Sequence, residues 1–202
     1  MRGKPVLLRE NSGSVLRPSR GFQKKLLCDG LVLNLGDTCV YNCEFCYVEG
    51  MLKGPLGFPR KTLDNFNAVT GATHGFRDVV IRRRNSLELL KNQLLTKNGT
   101  PRKEFSQSGD VVFSSSLVDV AANMELAEET ARACRLILEH TKLQIRLLSK
   151  SNLLTQIVTN KRFRIPDKYR DRVIFGFSTG TLYDGVAKAI ETGTAPVSVR
   201  IK

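Results

Sequence analysis

The chain predicts an α/β fold, a partial barrel of about five parallel strands with helices on the outside. Three observations carry that expectation. From Leu31 onward, short apolar stretches of strand length alternate with stretches of helical periodicity, the pattern of parallel strands joined by right-handed crossovers. Five such units occur, without the further units that closure would need. Polar residues able to do chemistry gather just after the strands, at the carboxyl ends where α/β barrels carry their sites.

Residues 1–26 are rich in Arg, Lys, Ser and Gly, lack periodicity, and read as a basic N-terminal arm ahead of a core domain over 27–202. Leu31–Leu35 is a short apolar strand. A helix follows over about Thr62–Thr70, then a strand over Asp78–Arg82 and a helix over Leu87–Leu95 capped by Ser86. Residues 97–108, with Gly99 and Pro101, read as a loop. Asp110–Ser115 is a third strand, and residues 125–140 carry apolar positions at three- and four-residue intervals, the clearest helical pattern in the chain. Leu143–Leu148 is a fourth strand, followed by a helix near 153–160. Arg172–Phe177 is a fifth strand, a helix runs over about 182–190, and 195–202 reads as the start of another. No internal repeat is present.

The 202 residues, 41% of them hydrophobic, suffice for one domain with a real core. No apolar run approaches the length of a membrane span, and the N-terminus lacks the apolar stretch of a signal peptide. With 32 basic against 19 acidic residues the net charge is +13, a field that attracts polyanions. Nucleic acid is therefore an expected partner. Arg82, Arg83 and Arg84, with Lys161, Arg162 and Arg164, are the basic clusters expected to contribute.

The most specific feature is the loop Gly36-Asp-Thr-Cys-Val-Tyr-Asn-Cys-Glu-Phe-Cys-Tyr-Val-Glu-Gly50. Cys39, Cys43 and Cys46 have the spacing C-x3-C-x2-C, and Tyr47 follows directly. Three thiolates on one loop can hold three irons of a [4Fe-4S] cluster and leave the fourth iron open. Closed clusters and structural zinc sites take four protein ligands, and no nearby Cys or His fits the fourth place. A zinc knuckle remains the competing reading of the same residues. Concentrating three of five cysteines in one loop argues against a disulfide framework and for a reducing cytoplasm, and Cys28 and Cys134 read as structural.

This loop resembles that of the radical S-adenosylmethionine (SAM) enzymes, and the chain from about 31 to 202 resembles their spore photoproduct lyase-like branch, also labelled DNA repair photolyase homologues. Carrying the resemblance beyond the cysteines are Val80-Ile-Arg-Arg-Arg-Asn-Ser-Leu-Glu-Leu-Leu90, the Asp and Glu of Val118-Asp-Val-Ala-Ala-Asn-Met-Glu125, Leu148-Ser-Lys-Ser-Asn-Leu-Leu154, and Phe177-Ser-Thr-Gly-Thr-Leu-Tyr-Asp-Gly185 followed by Glu191-Thr-Gly-Thr-Ala-Pro196. The resemblance implies a barrel of the radical SAM type. It implies a [4Fe-4S] cluster on Cys39, Cys43 and Cys46, with SAM as cosubstrate and a one-electron reductant such as flavodoxin or ferredoxin. Reductive cleavage of SAM would give a 5′-deoxyadenosyl radical, with DNA as the implied substrate.

The resemblance makes Ser149, Lys150 and Ser178 candidates to hold SAM. Lys150 could equally be a strand-end lysine in solvent. Asp119 could bond a hydroxyl of SAM or substrate, or cap the long helix. Tyr47 is a candidate for hydrogen transfer or for packing against adenine. Two departures stand out: the cysteine that photoproduct lyases use as hydrogen donor has no counterpart near Leu90, and the family barrel continues past the point where this chain stops, as in a truncated member. A nucleic-acid-binding module with a structural metal is the rival function.

Overall fold

A computed structural model of the chain describes residues 4–10, 13–24, 26–52 and 58–201. Residues 1–3, 11, 12 and 25 of the expected arm, and Lys202 of the final helix, lie outside the described residues. The strands are β1 Val6–Arg9, β2 Leu16–Pro18, β3 Leu31–Leu33, β4 Asn42–Cys43, β5 Val80–Arg83, β6 Val111–Ser114, β7 Gln144–Ser149, β8 Val173–Phe177 and β9 Glu191–Thr192. The α-helices are α1 Arg20–Lys24, α2 Val48–Leu52, α3 Phe58–Thr70, α4 Ser86–Leu94, α5 Lys103–Ser106, α6 Met124–His140, α7 Gln156–Thr159, α8 Asp184–Ile190 and α9 Val197–Arg200.

The central sheet has the order β2-β3-β6-β7-β8, with β3, β6, β7 and β8 parallel and β2 antiparallel at one edge. This corrects the expected run of five parallel strands: four are parallel, β2 is antiparallel, and the expected second strand lies outside this sheet. The stretch expected as an arm supplies β1, β2 and α1. Leu16 pairs with Leu33 and is buried, so β2 occupies the place beside β3. The Gln93 carboxamide holds it there, accepting from Val15 and Leu16 N–H and donating to Leu16 O. The second expected strand, β5, pairs instead with β1 in a separate parallel ladder.

The long helix forms where the periodicity placed it. Its buried residues include Leu126, Ala127, Thr130, Ala131, Cys134, Ile137 and Leu138, one continuous stripe on a 3.6-residue period. That stripe packs on the sheet face carrying Leu33, Val112, Ile145 and Leu147. Full burial of each Leu or Ile contributes about 1.5–3 kcal/mol. Asn123 is the N-cap, accepting from Leu126 N–H at 2.8 Å, which is worth about 1 kcal/mol. Asp119 therefore does not cap this helix. Cys28 and Cys134 are both buried and unpaired, and burial pushes the Cys134 thiol up to about 12.

At α4 the structure also differs from the sequence reading. The cap position is Asn85, in the left-handed region at φ 57°, a conformation that Asn tolerates better than most residues. Ser86 instead donates back to Arg83 O at 3.1 Å. Residues 97–108 include the short helix α5, and the helix expected near 153–160 begins as a 3-10 turn at Asn152–Thr155 before α7.

The arginines of β5 are a further correction. Arg82 and Arg83 are buried, Arg82 against Glu129 and Arg83 against Asp37 at 3.0 Å, while Arg84 pairs at the surface with Glu10 at 3.0 Å. A buried guanidinium needs a carboxylate to offset its desolvation, so these groups are committed inside the fold. They do not form a nucleic-acid surface. Lys161 and Arg162 are exposed, while Arg164 pairs with Asp167 at 2.8 Å. Lys161 and Arg164 line a groove that also includes Val173 at the amino end of β8, the end opposite the cysteine loop. Among the described residues no helix is long and apolar enough to cross a membrane.

Candidate active site

The cysteine loop is fixed at both ends before its thiols are placed. At its entrance Asp37 N–H donates to Ile81 O at 2.9 Å, and Thr38 Oγ1 donates to Val79 O at 2.9 Å while accepting from Ile81 N–H at 2.7 Å. The Asp37 carboxylate is buried between Arg9 and Arg83. On the far side β4 pairs antiparallel with β9, setting Asn42 opposite Thr192 and Cys43 opposite Glu191, and Glu44 N–H donates to Ile190 O at 2.9 Å. Residues 150 positions apart in sequence thus share one short ladder, which no local pattern announces.

Cys39, Cys43 and Cys46 all line one cavity of about 340 Å³, together with Tyr47, Ser115, Ser116, Asp119, Lys150 and Ser178. The cavity lies over the carboxyl ends of β3, β6, β7 and β8. Phe22, Phe113 and Leu148 form part of its apolar lining, on the sheet face away from α6. Burial raises the Cys39 thiol to about 11 and also raises Cys43, and the charge of Cys46 adds to both. A cation bound there would reverse that balance, because metal ligation deprotonates thiols. The donor set fits an iron-sulfur cluster in kind: three thiols of one loop line one cavity, with no other Cys and no His in its lining among the described residues. Among the described residues no three His, Cys, Asp or Glu side chains stand together as ligands for a metal ion.

Lys150 follows β7 directly, and its ammonium is not in free solvent. It donates to Glu191 at 2.8 Å and to Ser178 Oγ at 3.2 Å, and lies 5.1 Å from the centre of the Phe45 ring. Glu191 is buried and also accepts from Arg200 at 2.6 Å and from Gly180 N–H at 2.8 Å. Burial pushes the Glu191 carboxyl up, but the bonds from Lys150 and Arg200 outweigh it and hold the group below the ordinary glutamate value. Arg200, itself fully buried, completes the knot by donating to Ser178 O at 3.1 Å and Ala195 O at 2.6 Å.

Asp119 accepts from Ser149 Oγ at 2.6 Å, from Lys150 N–H at 2.6 Å and from Ala121 N–H at 3.0 Å. Its own burial pushes its carboxyl up, against these bonds. Ser149 is fully buried and does not line the cavity; its hydroxyl orients Asp119 and accepts from Ser151 N–H at 2.9 Å. Tyr47 is half-exposed and donates to Ser116 O at 2.6 Å, which turns its ring along the cavity. Burial, and then the charge of Cys46, raises its phenol. The structure therefore brings seven of the eight residues expected from sequence to one cavity, Ser149 standing behind them. It adds Lys4, Phe45 and Glu191; Phe45 lies in the marked cysteine loop and Glu191 in a later marked segment, whereas no motif pointed to Lys4.

No protein-family model and no curated protein sequence matches the chain. Solved structures of spore photoproduct lyase do match it. A cysteine-to-alanine mutant with dinucleoside spore photoproduct superposes at a TM-score of 0.62 with 12% identity, covering 97% of this chain and 45% of that one. The lyase complexed with the same dinucleoside gives 0.59, and a double mutant with bound AdoMet and the dinucleoside gives 0.56, at the same identity and coverage. The chain thus spans less than half the length of those proteins. An identity this low speaks to fold alone: the chain is similar in fold to part of spore photoproduct lyase.

Proposed function

We propose that the protein is a radical SAM enzyme that cleaves S-adenosylmethionine reductively and acts on nucleic acid. The observation that carries the reading is the convergence of Cys39, Cys43, Cys46, Lys150 and Ser178 on one cavity over the strand ends. A [4Fe-4S] cluster held by the three thiolates would supply one electron, from a reductant such as flavodoxin or ferredoxin, to break SAM into methionine and a 5′-deoxyadenosyl radical. Lys150, with Ser178 beside it, offers a positive donor for the SAM carboxylate at the cavity wall. Asp119, held by Ser149, offers an acceptor for a hydroxyl. The apolar side of the cavity, Phe22, Phe113 and Leu148, limits water around a reactive radical. Among the described residues no cysteine beyond the loop's three lines the cavity, so repair that depends on a further thiol as hydrogen donor is outside this proposal.

Anaerobic reconstitution with iron and sulfide, reduction in the presence of SAM, and measurement of 5′-deoxyadenosine test the reading. Formation of 5′-deoxyadenosine and methionine is expected. A colourless protein that instead takes up zinc and leaves SAM intact would favour the nucleic-acid-binding rival.

Two findings support nucleic acid as the substrate class: the net charge of +13, and the dinucleoside bound in similarly folded lyases. A labelled oligonucleotide is expected to bind with a Kd on the order of micromolar at low salt, weakening steeply as ionic strength rises because condensed counterions are released. Absence of binding at low salt strikes nucleic acid from the reading. Because Arg82 and Arg83 are internal, replacing Lys161 and Arg162 should change this affinity more than any β5 substitution that leaves the fold intact.

A further inference from the structure

Lys4 reaches the cysteine loop from the other end of the sequence. Its ammonium donates to Cys39 O at 3.3 Å, to Tyr41 O at 3.1 Å and to Asn42 Oδ1 at 2.6 Å. An ammonium has three donors, and all three are spent on the stretch from Cys39 to Asn42, just before the second cysteine. The same group lines the cavity and lies within electrostatic reach of all three thiols.

Its position is built, not incidental. Lys4 immediately precedes Pro5, whose carbonyl accepts from Val80 N–H at 2.9 Å, and β1 then runs parallel to β5 from Val6 to Arg9. At the far end of β1, Arg9 pairs with Asp37, two residues before Cys39. One strand therefore grips the cysteine loop at two points: through Arg9 at the entrance and through Lys4 across the turn between Cys39 and Asn42. Arg9 already has a carboxylate to neutralise it, and Lys4 has only neutral oxygens among these bonds. Its charge therefore acts through space, on the three thiols and on the Asp78 carboxylate, with no acid bonded to it among these contacts.

We propose that Lys4 is a positioning residue for the proposed cluster, fixing the Cys39–Asn42 turn and supplying positive charge that favours the reduced, more negative state. This rests on the cluster reading above. Removing the ammonium should loosen the ligand loop and make the cluster harder to reduce. Groups one step outside a metal's ligands typically carry 10–100-fold in affinity, and an effect at the lower end, about 10-fold, is expected here.

The test uses anaerobically reconstituted wild type, Lys4→Met and Lys4→Arg. Lys4→Met should lose iron to a chelator about 10-fold faster, show a midpoint potential shifted to more negative values, and exchange the amide hydrogens of residues 41–43 faster in the metal-free protein. Lys4→Arg, which keeps charge and donors, should recover most of the potential shift. Equal iron retention and equal potential in wild type and Lys4→Met overturn the proposal. So does faster iron loss with an unmoved potential, because the charge would then do nothing. Wild type that takes up no iron sinks the cluster reading and the charge role together, whereas a loaded wild type matched by Lys4→Met sinks the role of Lys4 alone.

Discussion

Replacing Cys39, Cys43 or Cys46 with alanine is expected to take the reconstituted protein from about four irons per chain to nearly none, while Cys134→Ala keeps full iron. Three thiolates are the smallest set that leaves one iron of such a cluster open, so losing any one leaves two anchors for four metals. Cys134 lies on the far side of the sheet, within the buried stripe of α6, with its thiol held protonated by burial. Removing it trims a small apolar group from the core and touches nothing in the cavity. Iron and sulfide quantification on the four variants, with visible absorbance as a second readout, decides the matter. If Cys46→Ala kept its iron and Cys134→Ala lost it, the ligand assignment would be wrong.

The parts of this site that were legible in the sequence are those written in local patterns. The C-x3-C-x2-C spacing is local, as are the strand ends that place Ser149, Lys150 and Ser178, and the 3.6-residue stripe of α6. What stayed hidden depends on distant partners. Nothing near Lys4 shows that β1 pairs with β5, and nothing near Lys150 shows that it will meet Glu191, 41 residues on. The reading of Arg82 and Arg83 as part of a basic surface failed for the same reason. Whether an arginine is a surface charge or half of a buried ion pair is settled by Asp37 and Glu129, tens of residues away. Strand β2 went unseen because, at three residues, it carries too few positions for alternation to show.

Glu191→Ala is expected to cost about 3–5 kcal/mol, the range for breaking a buried ion pair from one side, and so to lower Tm by roughly 6–20 °C in a domain of this size. The carboxylate is fully buried and bonded to both Lys150 and Arg200, so its loss strips the fully buried Arg200 guanidinium of its bonded counter-charge. It also sits opposite Cys43 in the β4–β9 ladder, so the cysteine loop should loosen as well. Lys150→Ala should differ in kind. Glu191 would keep Arg200 and Gly180 N–H as donors, leaving stability nearly intact, whereas SAM affinity should fall by about tenfold or more, in keeping with the loss of one charge-assisted hydrogen bond. The pH dependence follows from the depressed Glu191 carboxyl, whose folded value lies below the ordinary 4.5. A group depressed on folding stabilises fully above its unfolded value and loses that contribution as pH falls through its lower folded value. Glu191→Gln should therefore flatten the stability profile in that acidic window, and thermal melts across it provide the check. A Glu191→Ala protein that melts at the wild-type temperature, or a Lys150→Ala protein that binds SAM as wild type does, would separate this ion-pair knot from the proposed SAM site.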